Sequence, residues 1–156
     1  MWVSRAYEAW RALSLEAMIA CMPAVPELEK VIALLDQRFG LEALIVFGSV
    51  ARGATHAESD IDLACLFRTR PDSVALLEAR ADCERLLARS VDLVDLTTAS
   101  PILATQVLRE GRCVRGAESS ALAHFTALLP SRYADLKRVR AVAEAALEDR
   151  ITRARS

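Results

Sequence analysis

The pattern of apolar and polar positions divides the chain into alternating helical and extended segments. Residues 28–39 carry apolar side chains three and four positions apart, which predicts an amphipathic helix that begins at Pro26 and ends at Gly40. The next segment, ALIVF at 43–47, is a continuous apolar run rich in β-branched residues, which predicts a buried strand. Two further strands are predicted, IDLACLF at 61–67 and VDLVDL at 91–96.

Capping residues mark the limits of the helices that are predicted after these strands. Asp72 is the candidate N-cap of a helix that continues through Leu87. Ser100, followed by Pro101, predicts the start of the next helix, and Gly111 predicts its end. This order of elements indicates an α/β or α+β domain built around a small mixed sheet.

The two ends of the chain extend this domain. Residues 1–24 are expected to be an N-terminal helical extension, and residues 25–116 are expected to form the core, with RCVRG at 112–116 as a short edge strand. Residues 117–156 are expected to be helices that pack on the core or on a partner, with a break at Pro130 and Ser131.

Composition excludes several classes of protein. Among 156 residues, 53% are hydrophobic and only 5% aromatic, and the net charge of -1 argues against a general nucleic-acid binder. The four cysteines form no CxxC pattern and, with only two histidines, give no familiar zinc spacing, so we expect reduced, buried thiols. We find no convincing targeting or membrane-spanning segment, and the chain is expected to be cytoplasmic with no membrane partner.

Two acidic residues interrupt the second predicted strand. Because side chains alternate along a strand, Asp60 and Asp62 project from one face while Ile61 and Leu63 project from the other. A pair of carboxylates in this position forms half of a site for a hard divalent cation, since unpaired charges would be costly to bury there. An Asp-x-Asp pair alone is more often an exposed face or a pair of caps, so the spacing by itself leaves both interpretations open.

A third carboxylate is available on the predicted strand at 91–96. Alternation places Asp92 and Asp95 on opposite faces, so only one of them can join the pair. Asp92 has apolar residues on both sides, as Asp62 does, and is the favoured third acid. Asp95 is expected to face solvent or a loop.

The turn after the first strand adds a phosphate-binding feature. Gly48 allows the backbone to approach an anion closely, and Ser49 adds a hydroxyl donor. A short helix starting here would also direct its N–H groups toward a phosphate, and Arg52 could neutralise its charge. The sequence contains neither a Walker A loop nor a dinucleotide-binding GxGxxG motif, which argues against a P-loop NTPase and against a dinucleotide-binding enzyme.

These motifs together resemble a known family. Gly48–Ser49, ten intervening residues and then Asp60-Ile61-Asp62, in FGSVARG and SDIDL, resemble the signature of the polymerase-β-type nucleotidyltransferases. The spacing is most similar to the minimal nucleotidyltransferase (MNT) group, and VDLVDL with LREGRCVRG is most like the MNT antitoxins paired with HEPN toxins. The resemblance covers residues 31–116. It implies a polymerase-β-like fold, with a small mixed sheet flanked by helices on one side and a Mg²⁺-ATP site at its exposed edge.

The resemblance also implies a role for each motif residue. It assigns Asp60, Asp62 and Asp92 as catalytic residues and metal ligands, and Gly48, Ser49 and Arg52 as nucleotide-binding residues. The two aspartates of the Asp-x-Asp pair would hold two Mg²⁺ ions, while Asp92 would help to deprotonate the attacking hydroxyl. The glycine and serine would hold the triphosphate of ATP, with the arginine in support.

The activity implied by this resemblance is transfer of AMP from ATP to a tyrosine of a HEPN-domain ribonuclease toxin, held in a hetero-oligomer. Two alternatives remain open. The acceptor could be a small molecule of the aminoglycoside type, although no second substrate domain is evident. The chain could also be a non-catalytic antitoxin that masks its toxin by binding.

The C-terminal region carries a further surface pattern. Its basic side chains are expected to form a solvated helical face or to meet an acidic partner: Arg132, Lys137, Arg138 and Arg140. Its apolar side chains are candidates to anchor a partner or a dimer: Leu128, Leu136, Val139 and Val142.

Overall fold

The computed structural model of the protein describes residues 27–51 and 60–154. The helices are α1 (Leu28–Phe39), α2 (Gly48–Ala51), α3 (Ser73–Leu87), α4 (Pro101–Glu110) and α5 (Ser120–Ala154). The strands are β1 (Leu41–Phe47), β2 (Ile61–Phe67), β3 (Val91–Asp95) and β4 (Arg112–Arg115). The predicted extension at residues 1–24 lies outside the described residues.

The four strands form one mixed sheet in the order β3-β2-β1-β4. β1 is antiparallel to both of its neighbours, β2 and β4, whereas β2 and β3 are parallel. The small mixed sheet that the sequence predicts is therefore confirmed, and so is the position of residues 112–115 on an edge strand.

Helices cover both faces of this sheet. On the first face, α1 and α3 pack over strand side chains that include Val46, Leu63 and Leu93. On the second face, α4 and the first turns of α5 pack over strand side chains that include Ile45 and Leu66. The expectation that helices lie on one side only is therefore wrong. β2 is apolar at almost every position, and a strand of this kind needs cover on both faces.

The predicted caps are confirmed in the structure. The Asp72 carboxylate accepts a hydrogen bond from the Ala75 backbone N–H at 2.8 Å, at the start of α3. The Ser100 hydroxyl accepts one from the Leu103 N–H at 3.2 Å, at the start of α4. These side chains satisfy N–H groups that have no partner within the helix, which explains why the helix limits can be read locally.

The predicted break at Pro130 is wrong, because α5 is continuous from Ser120 to Ala154. Proline removes one backbone hydrogen bond to the residue four positions earlier and crowds its carbonyl, which often breaks a helix. Here Phe125 and Leu129 are buried against the second face and hold the preceding turn in place. Tertiary contacts thus keep the helix continuous through the proline.

The cysteines in the described part of the chain are free and buried, as expected: Cys65, Cys83 and Cys113. Burial raises the pKa of the Cys83 thiol to about 11 and that of Cys113 to about 12. Both thiols are therefore protonated at neutral pH and contribute as small apolar side chains to the core.

Among the helices of residues 27–51 and 60–154, none combines the length and the apolar character that crossing a bilayer requires.

The end of α3 generates a prediction about stability. Ala88 caps this helix in the left-handed conformation, with φ at 50°, which suits glycine far better than alanine. We expect Ala88→Gly to raise the free energy of unfolding by about 0.5–1 kcal/mol, because strain relief exceeds the added entropy of the unfolded chain. Urea denaturation of both proteins measures the difference.

The matched control is Ala81→Gly, an exposed position in the middle of the same helix. It should lower the free energy of unfolding by about 1 kcal/mol, since glycine is a poor helix residue there. Destabilisation by both substitutions would contradict the left-handed geometry at residue 88.

Candidate active site

The turn that follows β1 is a short helix held in place on two sides. α2 begins directly at Gly48, as the phosphate-binding interpretation expects, and its Val50 is buried in the cluster of the first face. At the other end of the turn, the Arg112 side chain from β4 donates a hydrogen bond from Nε to the Ala51 carbonyl oxygen at 3.0 Å. Contacts on both sides therefore hold the backbone at Gly48 and Ser49 in place.

Gly48 is in direct contact with one of the predicted catalytic carboxylates. Its φ is +68°, a conformation that L side chains rarely adopt. A Cβ added at this residue would lie 1.9 Å from Oδ2 of Asp62 and 2.9 Å from its Cγ. The carboxylate thus occupies the space that a side chain at position 48 would fill, so any other residue there would force the Asp62 side chain to move.

The sheet register brings two of the predicted acids together. Asp62 of β2 is paired directly with Asp92 of the parallel strand β3, so their side chains project from the same face of the sheet. Asp62 shares this face with Ala64 and Leu66 of the second-face cluster. Asp62 is half-buried and Asp92 is exposed, so a ligand can reach both.

Asp60 lies immediately before β2 and is exposed. It is two residues from Asp62, which is the spacing that puts neighbouring side chains on one face of an extended segment. The intervening Ile61 is fully buried in the first-face cluster, together with Leu63. Burial of these apolar neighbours fixes which face of the strand the carboxylates use.

Asp95 has a different role from the other aspartates. It is 97% buried, with only 3% of its surface exposed, so it faces the following loop and not solvent. Its Oδ1 accepts hydrogen bonds of 2.8 Å from both the backbone N–H and the hydroxyl of Thr97. Its backbone oxygen accepts a further bond from the Thr98 N–H at 3.1 Å. Asp95 therefore stabilises the turn that leads to α4, at the opposite end of β3 from Asp92.

The structure thus places Gly48, Asp62 and Asp92 close together. Arg52 lies outside the described residues. Arg112 is a supporting residue that sequence reasoning missed, because only the pairing of β4 with β1 places it beside the turn. Its segment, LREGRCVRG, carries no local signal for this contact.

The carboxylates fit one mode of magnesium binding. Within residues 27–51 and 60–154, no group of three or more His, Cys, Asp or Glu side chains is arranged as a metal site. Mg²⁺ bound with a nucleotide, however, commonly uses one or two carboxylates together with the phosphates of the substrate. Asp60 and Asp62 provide such a pair of carboxylates beside the Gly48 turn, where the Asp62 carboxylate takes the space of a side chain at position 48. These oxygen ligands fit a Mg²⁺-nucleotide complex.

Comparisons with known proteins agree with this geometry. The family described as "Polymerase beta, Nucleotidyltransferase" matches residues 29–119, which is more than half of the chain. The match contains the whole sheet, the Gly48 turn and all three aspartates.

Two named relatives share much of this region. The protein adenylyltransferase MntA of Shewanella oneidensis is 38% identical over 90 residues, which are 57% of this chain and 65% of the relative. The protein adenylyltransferase MntA of Thermococcus cleftensis is 37% identical over 76 residues, which are 49% of this chain and 77% of the relative. The match therefore spans somewhat less than two thirds of the Shewanella protein.

Solved structures show the same fold. A chain in a crystal structure of a toxin–antitoxin with AMP-PNP is 31% identical, with a TM-score of 0.67, over 79% of this chain and 98% of that one. A chain in a complex of tri-AMPylated Shewanella oneidensis HEPN toxin with MNT antitoxin is 27% identical, with a TM-score of 0.58, over 79% of this chain and 94% of that one.

The contact between Gly48 and Asp62 generates a second prediction. Gly48→Ala should lower the free energy of unfolding by about 2–4 kcal/mol, because it adds a steric conflict with the carboxylate to the strain of a positive φ. In an Asp62→Ala background the same substitution should cost only about 1–2 kcal/mol, the strain alone. Chemical denaturation of the four proteins in this double-mutant cycle gives the coupling.

Gly40→Ala is the matched control, since Gly40 has nearly the same φ, +67°, but no carboxylate against it. It should cost about 1–2 kcal/mol in both backgrounds. Equal costs for Gly48→Ala with and without the Asp62 carboxylate would mean that the carboxylate does not rest on this glycine.

Proposed function

The chain belongs to the polymerase beta nucleotidyltransferase family, and from that premise we propose that it is an antitoxin that transfers AMP from Mg²⁺-ATP to a tyrosine hydroxyl of a HEPN-domain toxin. The acceptor is a protein, and the modification neutralises its ribonuclease activity. The proposal includes a complex between this chain and the toxin.

One observation carries the catalytic part of this proposal. The Asp62 carboxylate lies against the backbone of Gly48, and in-register pairing puts Asp92 beside it. The Gly48 turn and a pair of carboxylates are therefore neighbours at one end of the sheet. Transfer of a nucleotidyl group needs this combination, because it depends mostly on positioning and on neutralising phosphate charge.

The nucleotide is expected to bind with its triphosphate at the start of α2. The N–H groups of Gly48 and Ser49 and the serine hydroxyl are the donors available to the phosphate oxygens. Arg52, which follows α2 in the sequence, is the proposed source of additional positive charge. Arg112 holds the end of this turn through Ala51 and keeps its donors in place.

The chemical step is an in-line displacement at the α-phosphorus of ATP. The tyrosine oxygen forms a bond to this phosphorus, the bond to the oxygen that bridges the α- and β-phosphates breaks, and pyrophosphate leaves. Asp92 is proposed to accept the proton of the tyrosine hydroxyl, since its exposed carboxylate is accessible to an incoming protein. Magnesium held by Asp60 and Asp62 would neutralise the charge of the triphosphate when bound.

The comparisons support the nature of the acceptor. Both curated relatives above are protein adenylyltransferases. One structural neighbour contains a toxin–antitoxin with AMP-PNP, and another contains an AMPylated HEPN toxin with its MNT antitoxin. Protein modification is therefore favoured over a small-molecule acceptor.

The direct test uses ATP labelled at its α-phosphate, Mg²⁺ and the purified cognate HEPN toxin. We expect label to appear on the toxin with the wild-type chain. Asp62→Asn should reduce the rate of labelling by at least about 100-fold, the loss that follows removal of one preorganised electrostatic group from an active site. Quantitative electrophoresis and mass spectrometry of the toxin measure both.

Asp72→Asn is the matched control, because asparagine caps a helix as well as aspartate and residue 72 lies at the opposite end of the sheet. It should label the toxin at the wild-type rate. Unchanged labelling by Asp62→Asn would remove the catalytic assignment. Toxin that stays unlabelled yet is neutralised in a stable complex would instead indicate a masking antitoxin.

A further inference from the structure

The long helix α5 has two parts with different surroundings. Its first turns are fixed to the second face of the sheet through Leu122, Phe125 and Leu129. From Ser131 to Glu144, every side chain is exposed except those of Tyr133 and Leu136, which are half-buried. We call residues 131–144 the arm. No described residue of the chain covers it.

The start of α5 is tied to the end of the sheet that is remote from the carboxylates. The Ser119 hydroxyl donates a hydrogen bond of 3.2 Å to Oε2 of Glu42, at the beginning of β1. The Gly48 turn and Asp62 lie at the other end of that strand. α5 therefore begins at the remote end of the sheet and packs onto its second face.

α5 is much longer than the strands on which it packs. A strand of seven residues such as β1 spans about 23 Å, whereas a helix of 35 residues spans about 52 Å. The contacts of α5 with the sheet end at Leu129, and the rest of the helix extends beyond the second-face cluster. It leaves from the second face, the face from which the carboxylates also project.

The arm continues the apolar stripe that anchors the helix. Leu122, Phe125 and Leu129 are followed at steps of three and four residues by Tyr133 and Leu136, which fall on the same side of a helix. Beside this stripe, Val139 and Val142 are 67% and 71% exposed. An exposed apolar stripe that continues a buried one is typical of a helix whose apolar side is covered by another molecule.

The charge of the arm indicates what that molecule presents. The arm carries four basic residues, Arg132, Lys137, Arg138 and Arg140, and two acidic ones, Asp135 and Glu144, although the whole chain has a net charge of -1. Only Asp135 forms an ion pair within the described arm, with Arg138. A complementary surface is therefore apolar at its centre and acidic at its rim.

We propose that the arm is the docking surface for the protein acceptor, the HEPN toxin, and that it binds an acidic, apolar-centred face of that protein. The inference rests on the proposed function and adds to it the surface that recognises the substrate. Two observations argue for this occupant: the arm continues the apolar stripe that anchors the helix on the sheet, and its basic residues outnumber its acidic ones.

The test measures binding separately from transfer. Val139→Asp combined with Arg140→Glu changes two exposed arm residues and leaves the catalytic residues untouched. We expect the Kd for the purified toxin, measured by calorimetry without ATP, to rise at least about tenfold. The rate of labelling at saturating toxin and the affinity for AMP-PNP should remain within about twofold of wild type, as expected when only an encounter surface is lost.

Arg70→Glu combined with Val74→Asp is the matched control. It makes the same chemical changes at the start of α3, on the first face, where Val74 is 66% exposed. It should bind the toxin with the wild-type Kd. Affinity of the wild-type chain should also fall with added salt, and the arm variant should show a weaker dependence.

The outcomes separate this inference from the proposed function. Wild-type affinity in the arm variant would overturn the inference, whatever Asp62→Asn does to labelling. Arm-dependent self-association of the chain alone, seen by sedimentation and lost in the arm variant, would also overturn it, because the occupant would then be a second copy. Arm-dependent binding without any labelling would uphold the inference and refute the catalytic proposal.

Discussion

The approach of the Asp62 carboxylate to the Gly48 backbone is the constraint on which the candidate site depends. It requires a positive φ at Gly48 and a residue with no side chain there. It also requires β1 and β2 to be paired antiparallel so that Phe47 stands opposite Asp62. Strand pairing thus brings the turn at Gly48 and the carboxylate of Asp62 together, although they are 14 positions apart in the sequence.

Much of the fold could be predicted because its signals are local. The caps at Asp72 and Ser100 act within one helical turn, and the apolar runs of β1 and β2 are short and continuous. The paired aspartates could be recognised for the same reason, since alternation along a strand puts Asp60 and Asp62 on one face without knowledge of the fold.

The features that could not be predicted all depend on tertiary contacts. Pro130 has the local signal of a helix end, but contacts made by its neighbours keep α5 continuous. The sequence pattern leaves Asp95 facing solvent or a loop, whereas the structure buries it at the end of β3, in register with Cys65 of β2. The Arg112 contact with Ala51 joins residues 61 positions apart, which no local pattern can indicate.

Because Arg112 lies on the last strand, the contact that it makes with the turn forms late during synthesis. Synthesis proceeds from the N-terminus, and β4 emerges from the ribosome after the turn and after all three aspartates. The Arg112 side chain can therefore form its hydrogen bond to the turn only after the other three strands have been synthesised. The turn that bears Gly48 is therefore complete only after β4 has been synthesised, just before the helix that contains the arm.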